Sequence, residues 1–148
     1  MNHPFLRLTL LIATGLAAAQ TQAQTQPAHG GRWVTESGNL EIDIAPCGDA
    51  LCGTVVRVLA NRSMEAPGQA MAPADQRPAL GMQILSGLRA GGEGVLSGEI
   101  YNRETAKTYR VQLTLDGPQQ LLVRPYVGIP LFGKTQLWRR VSEPEVAR

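Results

Sequence analysis

The chain has 148 residues, with 14 basic and 12 acidic side chains and a formal charge of +2, a size that suits one domain around a single core. Its basic residues are scattered, without the stripe or patch that nucleic-acid binding requires. The only histidines are His3 and His29, so the chain beyond them offers no imidazole to a Ser-His-Asp or Cys-His site and no histidine ligand for zinc.

Residues 1–23 read as a secretory signal peptide: Arg7 supplies a positive charge, an apolar run over 8–16 follows, and a small, polar segment ends the leader. Cleavage is expected after Ala23, with Thr21 and Ala23 at the small-residue positions; Ala19, preceded by Ala17, is the alternative. The run is about half the ~20 apolar residues of a spanning helix. The expected destination is the periplasm or the exterior, with no membrane span in the mature form. Residues 24–31, polar and carrying Pro27 and Gly30-Gly31, read as a flexible tail. The folded domain is expected over 32–141, with a C-terminal tail over 142–148.

From residue 32 the chain repeats one design, a run rich in Val, Ile, Leu, Thr and Tyr closed by Gly, Asp, Asn or Pro. Candidate strands fall at 32–36, 39–47, 51–59, 80–88, 95–101, 108–116, 120–127 and 131–141. In the second, Leu40, Ile42 and Ile44 alternate with Glu41 and Asp43; in the sixth, Tyr109, Val111, Leu113 and Leu115 alternate with Arg110, Gln112 and Thr114. That period of two means one buried and one wet face. It assigns Glu41 and Asp43 to solvent rather than to catalysis. Short links make consecutive strands antiparallel neighbours, and eight in order predict an all-β fold: a single eight-stranded antiparallel up-and-down barrel, whose closure removes exposed edges. One connection is long. Residues 60–78, with Pro67, Pro73 and Pro78 and with Met64 and Met71, form either loose chain or a lid over the barrel mouth.

Cys47 and Cys52 bracket a hairpin turn with four residues between them. Cross-strand side chains sit at about the separation a disulfide needs, and so small a ring stabilises by roughly 2 kcal/mol. The spacing is not that of a redox motif, and no third cysteine accompanies the pair to hold a metal. A structural disulfide is therefore expected, with no metal and no cofactor.

Two strands carry the candidate binding residues. Leu121, Val123 and Val127 share one face, which leaves Leu122, Arg124 and Tyr126 on the other; in the last strand Phe132, Lys134, Gln136, Trp138 and Arg140 lie together. Periodicity does not say which face looks inward. Arg124 and Lys134 are either solvated surface cations or, if inward, the partners of a ligand carboxylate or phosphate, with Tyr126 and Tyr109 beside them.

Gly31-Arg32-Trp33, the hairpin from Cys47 to Gly53, Arg77-Pro78-Ala79-Leu80-Gly81, Gly98-Glu99-Ile100-Tyr101 with Lys107-Thr108-Tyr109, and the run over 126–141 resemble an exported bacterial family known as domain of unknown function 2147. That family is similar to the calycins, whose lipocalin members pair a Gly-x-Trp in the first strand with an Arg near the end of the last. The resemblance implies a lipocalin-like barrel in which Arg139 or Arg140 lies over Trp33 as a structural cation–π closure. The chain departs from the family pattern at Asn102-Arg103, where Asp-Pro is common, and at Ala106 and Pro125, where Gly is usual. The functional expectation is a small hydrophobic or amphipathic ligand held in the barrel. The alternative is an envelope structural or protein-interaction module with a solid core and no small ligand. Enzymatic activity ranks last, because no nucleophile–base pair is recognisable.

Overall fold

Alternation with a period of two builds nearly the whole molecule. The computed structural model describes residues 27–142; the expected signal peptide and residues 143–148 of the expected C-terminal tail lie outside the described residues. The strands are β1 (Gly31–Val34), β2 (Leu40–Cys47), β3 (Ala50–Val58), β4 (Gln83–Gly92), β5 (Val95–Asn102), β6 (Lys107–Asp116), β7 (Gln120–Tyr126) and β8 (Gln136–Arg140). They close into one antiparallel barrel in sequence order, with β8 returning to β1 through Trp33 opposite Arg140 and Val34 opposite Arg139.

The inward face is apolar. Ile42 and Ile44 of β2, Val111 and Leu113 of β6 and Leu121 and Val123 of β7 are fully buried, whereas Arg110 points outward and is exposed. This is the reverse of the lipid-facing pattern of membrane-spanning barrels. The core is filled down to the backbone at Gly53, where a Cβ would lie 2.8 Å from the Leu85 side chain and 3.0 Å from Ile42.

One end of the barrel is sealed by Arg140. Its guanidinium carbon lies 4.1 Å from the centroid of the Trp33 ring, close enough for a cation–π interaction. Its nitrogens donate to the carbonyls of Pro118 (2.7 Å), Gly30 (2.7 Å) and Ala28 (2.8 Å). The Trp33 indole N–H donates to the His29 carbonyl at 3.0 Å. Residues 27–31 are thereby packed beneath the barrel, which corrects their reading as flexible tail: the sequence sees only a polar, glycine-containing stretch, while the packing comes from a side chain more than a hundred residues away. Arg139, by contrast, is exposed.

Other expectations also change. Strand β8 begins at Gln136 instead of residue 131, because Pro130–Phe132 form a single 3-10 turn with Pro130 in its first positions. The long connection is ordered rather than loose. Cys47 and Cys52 are disulfide-bonded with their Cα atoms 5.8 Å apart, but diagonally, since Cys47 pairs with Ala50 and Cys52 with Ala45. Glu41 does face outward, yet it is only 2% exposed, because Arg32 (3.4 Å) and Arg57 (3.2 Å) reach over it from the two flanking strands.

His29 belongs to the folded domain, against the expectation that the domain holds no histidine. It is buried at the sealed end and its Nε2 has no hydrogen-bond partner. Burial lowers its pKa below the ordinary 6.5, the Gly94 carbonyl opposes this, and the Arg140 charge lowers it further. A folded-state pKa below the unfolded value means that the unfolded chain binds the extra proton, so stability is full above pH 6.5 and falls as the pH drops toward the folded value. Denaturant titrations from pH 7.5 down to pH 5 should show this decline, and His29→Gln should remove it.

The β5–β6 turn holds a strained residue. Ala106 sits at φ 54°, in the left-handed region that costs a side-chain-bearing residue about 1–2 kcal/mol. Ala106→Gly should raise stability by about 1 kcal/mol, read as a higher urea midpoint at unchanged slope.

Candidate functional site

The end opposite Arg140 is open. It is bounded by the β1–β2 turn, the long β3–β4 connection, the β5–β6 turn and the β7–β8 loop, which together enclose a cavity of about 390 Å³. Ile84, Ile100 and Trp138 belong both to the packed core and to the cavity wall, and so form its floor. Leu40, Tyr109 and Met71 continue the apolar wall upward. Val111 and Leu113 lie below the floor in solid core, so of the residues on that face of β6 only Tyr109 reaches the cavity.

The long connection covers part of this mouth, and its anchors are specific. Asn39, buried at the head of β2, donates from its side-chain amide to the Arg62 carbonyl and accepts the Arg62 N–H, both at 2.8 Å. Beyond it the chain folds back through a bridge between Arg62 and Ala70, which brings Met71 to the cavity wall. Glu104 in the β5–β6 turn holds the Ser63 hydroxyl and accepts the Met64 N–H at 2.8 Å. The N–H groups of Ala74 and Asp75 donate to the carbonyls of Glu104 and Arg103 at 3.0 and 3.1 Å.

Asp75 completes the strap. Its carboxylate accepts from Nε and Nη2 of Arg77 and from the Tyr101 hydroxyl at 2.6 Å. The Arg77 guanidinium, followed by the Tyr101 hydroxyl and the Arg77 backbone N–H, holds the Asp75 carboxyl well below the usual carboxylate range. The same contact, led by the hydrogen bond to Asp75, raises the Tyr101 hydroxyl above its ordinary value.

The expected binding residues separate. Tyr109, Tyr126 and Lys134 all line the cavity. Arg124 does not: it lies outside, where Nε donates to the Pro130 carbonyl (2.7 Å), Nη1 to the Thr135 hydroxyl (2.7 Å) and Nη2 to the Leu131 carbonyl (3.3 Å). Inward-facing Leu121 and Val123 fix this direction, and the β7–β8 loop consumes the guanidinium. Gly133 lets the loop settle there, since a Cβ would come within 3.0 Å of Arg124 Cγ and Tyr126 Cβ. Gln136 and Trp138 of β8 and Lys134 of the loop before it line the cavity, and the Trp138 indole donates to Gln136 Oε1 at 3.1 Å.

Arg103 was not anticipated. It lines the cavity, donates from Nη2 to the Arg77 carbonyl at 3.0 Å, and keeps a buried Nε without a partner. The one signal pointing to it is the replacement of the family's Asp-Pro by Asn102-Arg103. Among the described residues, Arg103 and Lys134 are the only charged ones in the cavity wall, and no carboxylate lines it.

Residues 31–140 match the family described as an uncharacterized protein conserved in bacteria, domain of unknown function 2147. The chain belongs to this family. No curated protein matches it significantly in sequence. Among solved structures it is similar to HP1028 from Helicobacter pylori, a protein described as belonging to the lipocalin family. The two share 18% identity over 77% of this chain and 83% of that one, with a TM-score of 0.56. That likeness concerns the fold, and it agrees with the closed eight-stranded barrel of this domain of unknown function 2147 protein.

The strap generates a prediction. Asp75 has a depressed folded-state pKa, so its contribution is complete above the ordinary 3.8 and is lost as the pH falls below it. Hydrogen-exchange protection of residues 60–78, relative to intrinsic rates, should fall below pH 3.8 ahead of that of β6, and Asp75→Asn should produce the same loosening at neutral pH.

Proposed function

We propose that this protein binds a small hydrophobic or amphipathic molecule in the open half of its barrel, with the ligand's anionic group at Arg103 and Lys134. The carrying observation is the cavity of about 390 Å³, at the lower end of the volumes of small-molecule sites. Its floor is apolar, and among the described residues its wall carries two cations and no carboxylate. An apolar tail removes its surface from water against Ile84, Ile100 and Trp138, while a carboxylate or phosphate meets Lys134 and Arg103 in the wall.

Binding, rather than catalysis, is the role this supports. His29, the one histidine among the described residues, lies at the sealed end, away from the cavity. The alternative of a solid interaction module fits the lower half of the barrel, but the hollow upper half favours a ligand. Export to the periplasm or exterior is part of the same proposal, supported by the three-part leader and by the disulfide.

Two amphiphiles with the same tail and opposite heads, dodecanoate and dodecyltrimethylammonium, test the reading by calorimetry, alongside native mass spectrometry of the gently purified protein. Dodecanoate should bind more tightly. Lys134→Glu should weaken it by about fivefold, the scale of one exposed ion pair, and should leave dodecyltrimethylammonium no weaker. A bare native mass together with no binding of either amphiphile refutes the proposal.

A further inference from the structure

Four of the large apolar side chains that the described residues leave in water belong to one connection. In the β7–β8 loop Val127 is 70% exposed, Ile129 50%, Leu131 75% and Phe132 77%. Single exposed apolar residues are ordinary, whereas several together mark a surface that meets something. These four are also held in place. Arg124 donates three hydrogen bonds into the loop, and the 3-10 turn adds Phe132 N–H to the Ile129 carbonyl at 3.2 Å and Gly133 N–H to the Pro130 carbonyl at 3.0 Å. The scaffold keeps the side chains out in solvent rather than folded down on the barrel.

We propose that the β7–β8 loop is a membrane-docking element that seats the barrel mouth on an anionic lipid surface. Charge and size select this partner. The only charged residue over 127–135 is Lys134, and Arg103 stands in the same cavity wall. Of the carboxylates on the connections around the mouth, Asp75 is ion-paired with Arg77, whereas Glu104, which holds Ser63 and the Met64 N–H, and Glu36, which accepts the Leu137 N–H, keep their charge and are balanced by Arg62 together with Arg103 and Lys134. Glu65, in the β3–β4 connection, is exposed. A protein partner would ordinarily cover about 800 Å² on each side, more than one nine-residue loop presents. A bilayer accepts a small apolar protrusion into the boundary between headgroups and acyl chains without a matching pocket, while nearby cations meet lipid phosphates. Val127, Phe132, Gly133 and Lys134 also line the cavity, so docking this loop brings the mouth to the lipid. The proposal stands on the loop and does not depend on what the cavity holds.

Co-sedimentation of the purified protein with phosphatidylcholine vesicles, with and without about 30 per cent phosphatidylglycerol, tests it. Binding to the anionic vesicles is expected, weakened several-fold without phosphatidylglycerol. The double variant Ile129→Ser with Leu131→Ser should lose at least about tenfold in partitioning. Neither residue lines the cavity, so the double variant should keep its melting temperature and any dodecanoate affinity. Leu80→Ser, which removes an exposed leucine from a different connection, should partition like the unaltered protein. The proposal is overturned if the unaltered protein stays in the supernatant, if the double variant sediments equally well, or if Leu80→Ser is equally impaired. Self-association without vesicles that the double variant abolishes would assign the loop to a second copy of the chain and also overturn it.

Discussion

Arg140 sits where the first and last strands of the barrel meet, and the closure depends on it. Strand β1 has four residues and β8 five, and they pair at only two positions. So short a seam leaves much of its integrity to side chains. The guanidinium stacks on Trp33 and ties β8 to the segment before β1 and to the β6–β7 turn. At the other side of the seam, Glu36 Oε1 accepts the Leu137 N–H at 3.1 Å, beyond the last ladder pair. A barrel without this seam would be a sheet with two free edges, open to pairing with other chains.

From that sealed end the interior changes character. Trp33, Ile42, Leu85, Leu113 and Leu121 fill the lower half completely. The upper half is hollow because the strands part company there. Strand β7 has β8 as a partner only as far as Val123, and Pro125, which lacks an N–H, is tolerated beyond that point. The chain over 127–135 leaves the ladder as a loop held by Arg124. The cavity is thus a consequence of where β8 begins.

Two straps then define the mouth. One joins the β3–β4 connection to the β5–β6 turn through Glu104 and through Asp75 with Tyr101; the other joins the β7–β8 loop to β7 through Arg124. Both use charged groups to hold backbone, which leaves Arg103 and Lys134 as the charges in the cavity wall. A cavity of this kind is positioned by hydrogen bonds made outside it.

Runs rich in Val, Ile, Leu, Thr and Tyr between turn residues mark the eight strands, two of them by clean alternation, and their order with short links shows the antiparallel barrel, because these signals are local. The family resemblance carried by Gly31-Arg32-Trp33 and the final arginines implies the seam, although only the fold distinguishes Arg140 over the indole from exposed Arg139. Of the candidate binding residues, Tyr109, Tyr126 and Lys134 reach the cavity while Arg124 turns away, and Arg103 enters without a signal in the periodicity. Glu41 shows the same limit, since its alternation is outward and its burial comes from Arg32 and Arg57 on neighbouring strands. A two-residue period fixes which side chains share a face. It does not fix where a ladder stops or which distant group claims a charge. Those depend on partners such as Arg140 and Ala28, 112 residues apart, and only the closed barrel brings them together.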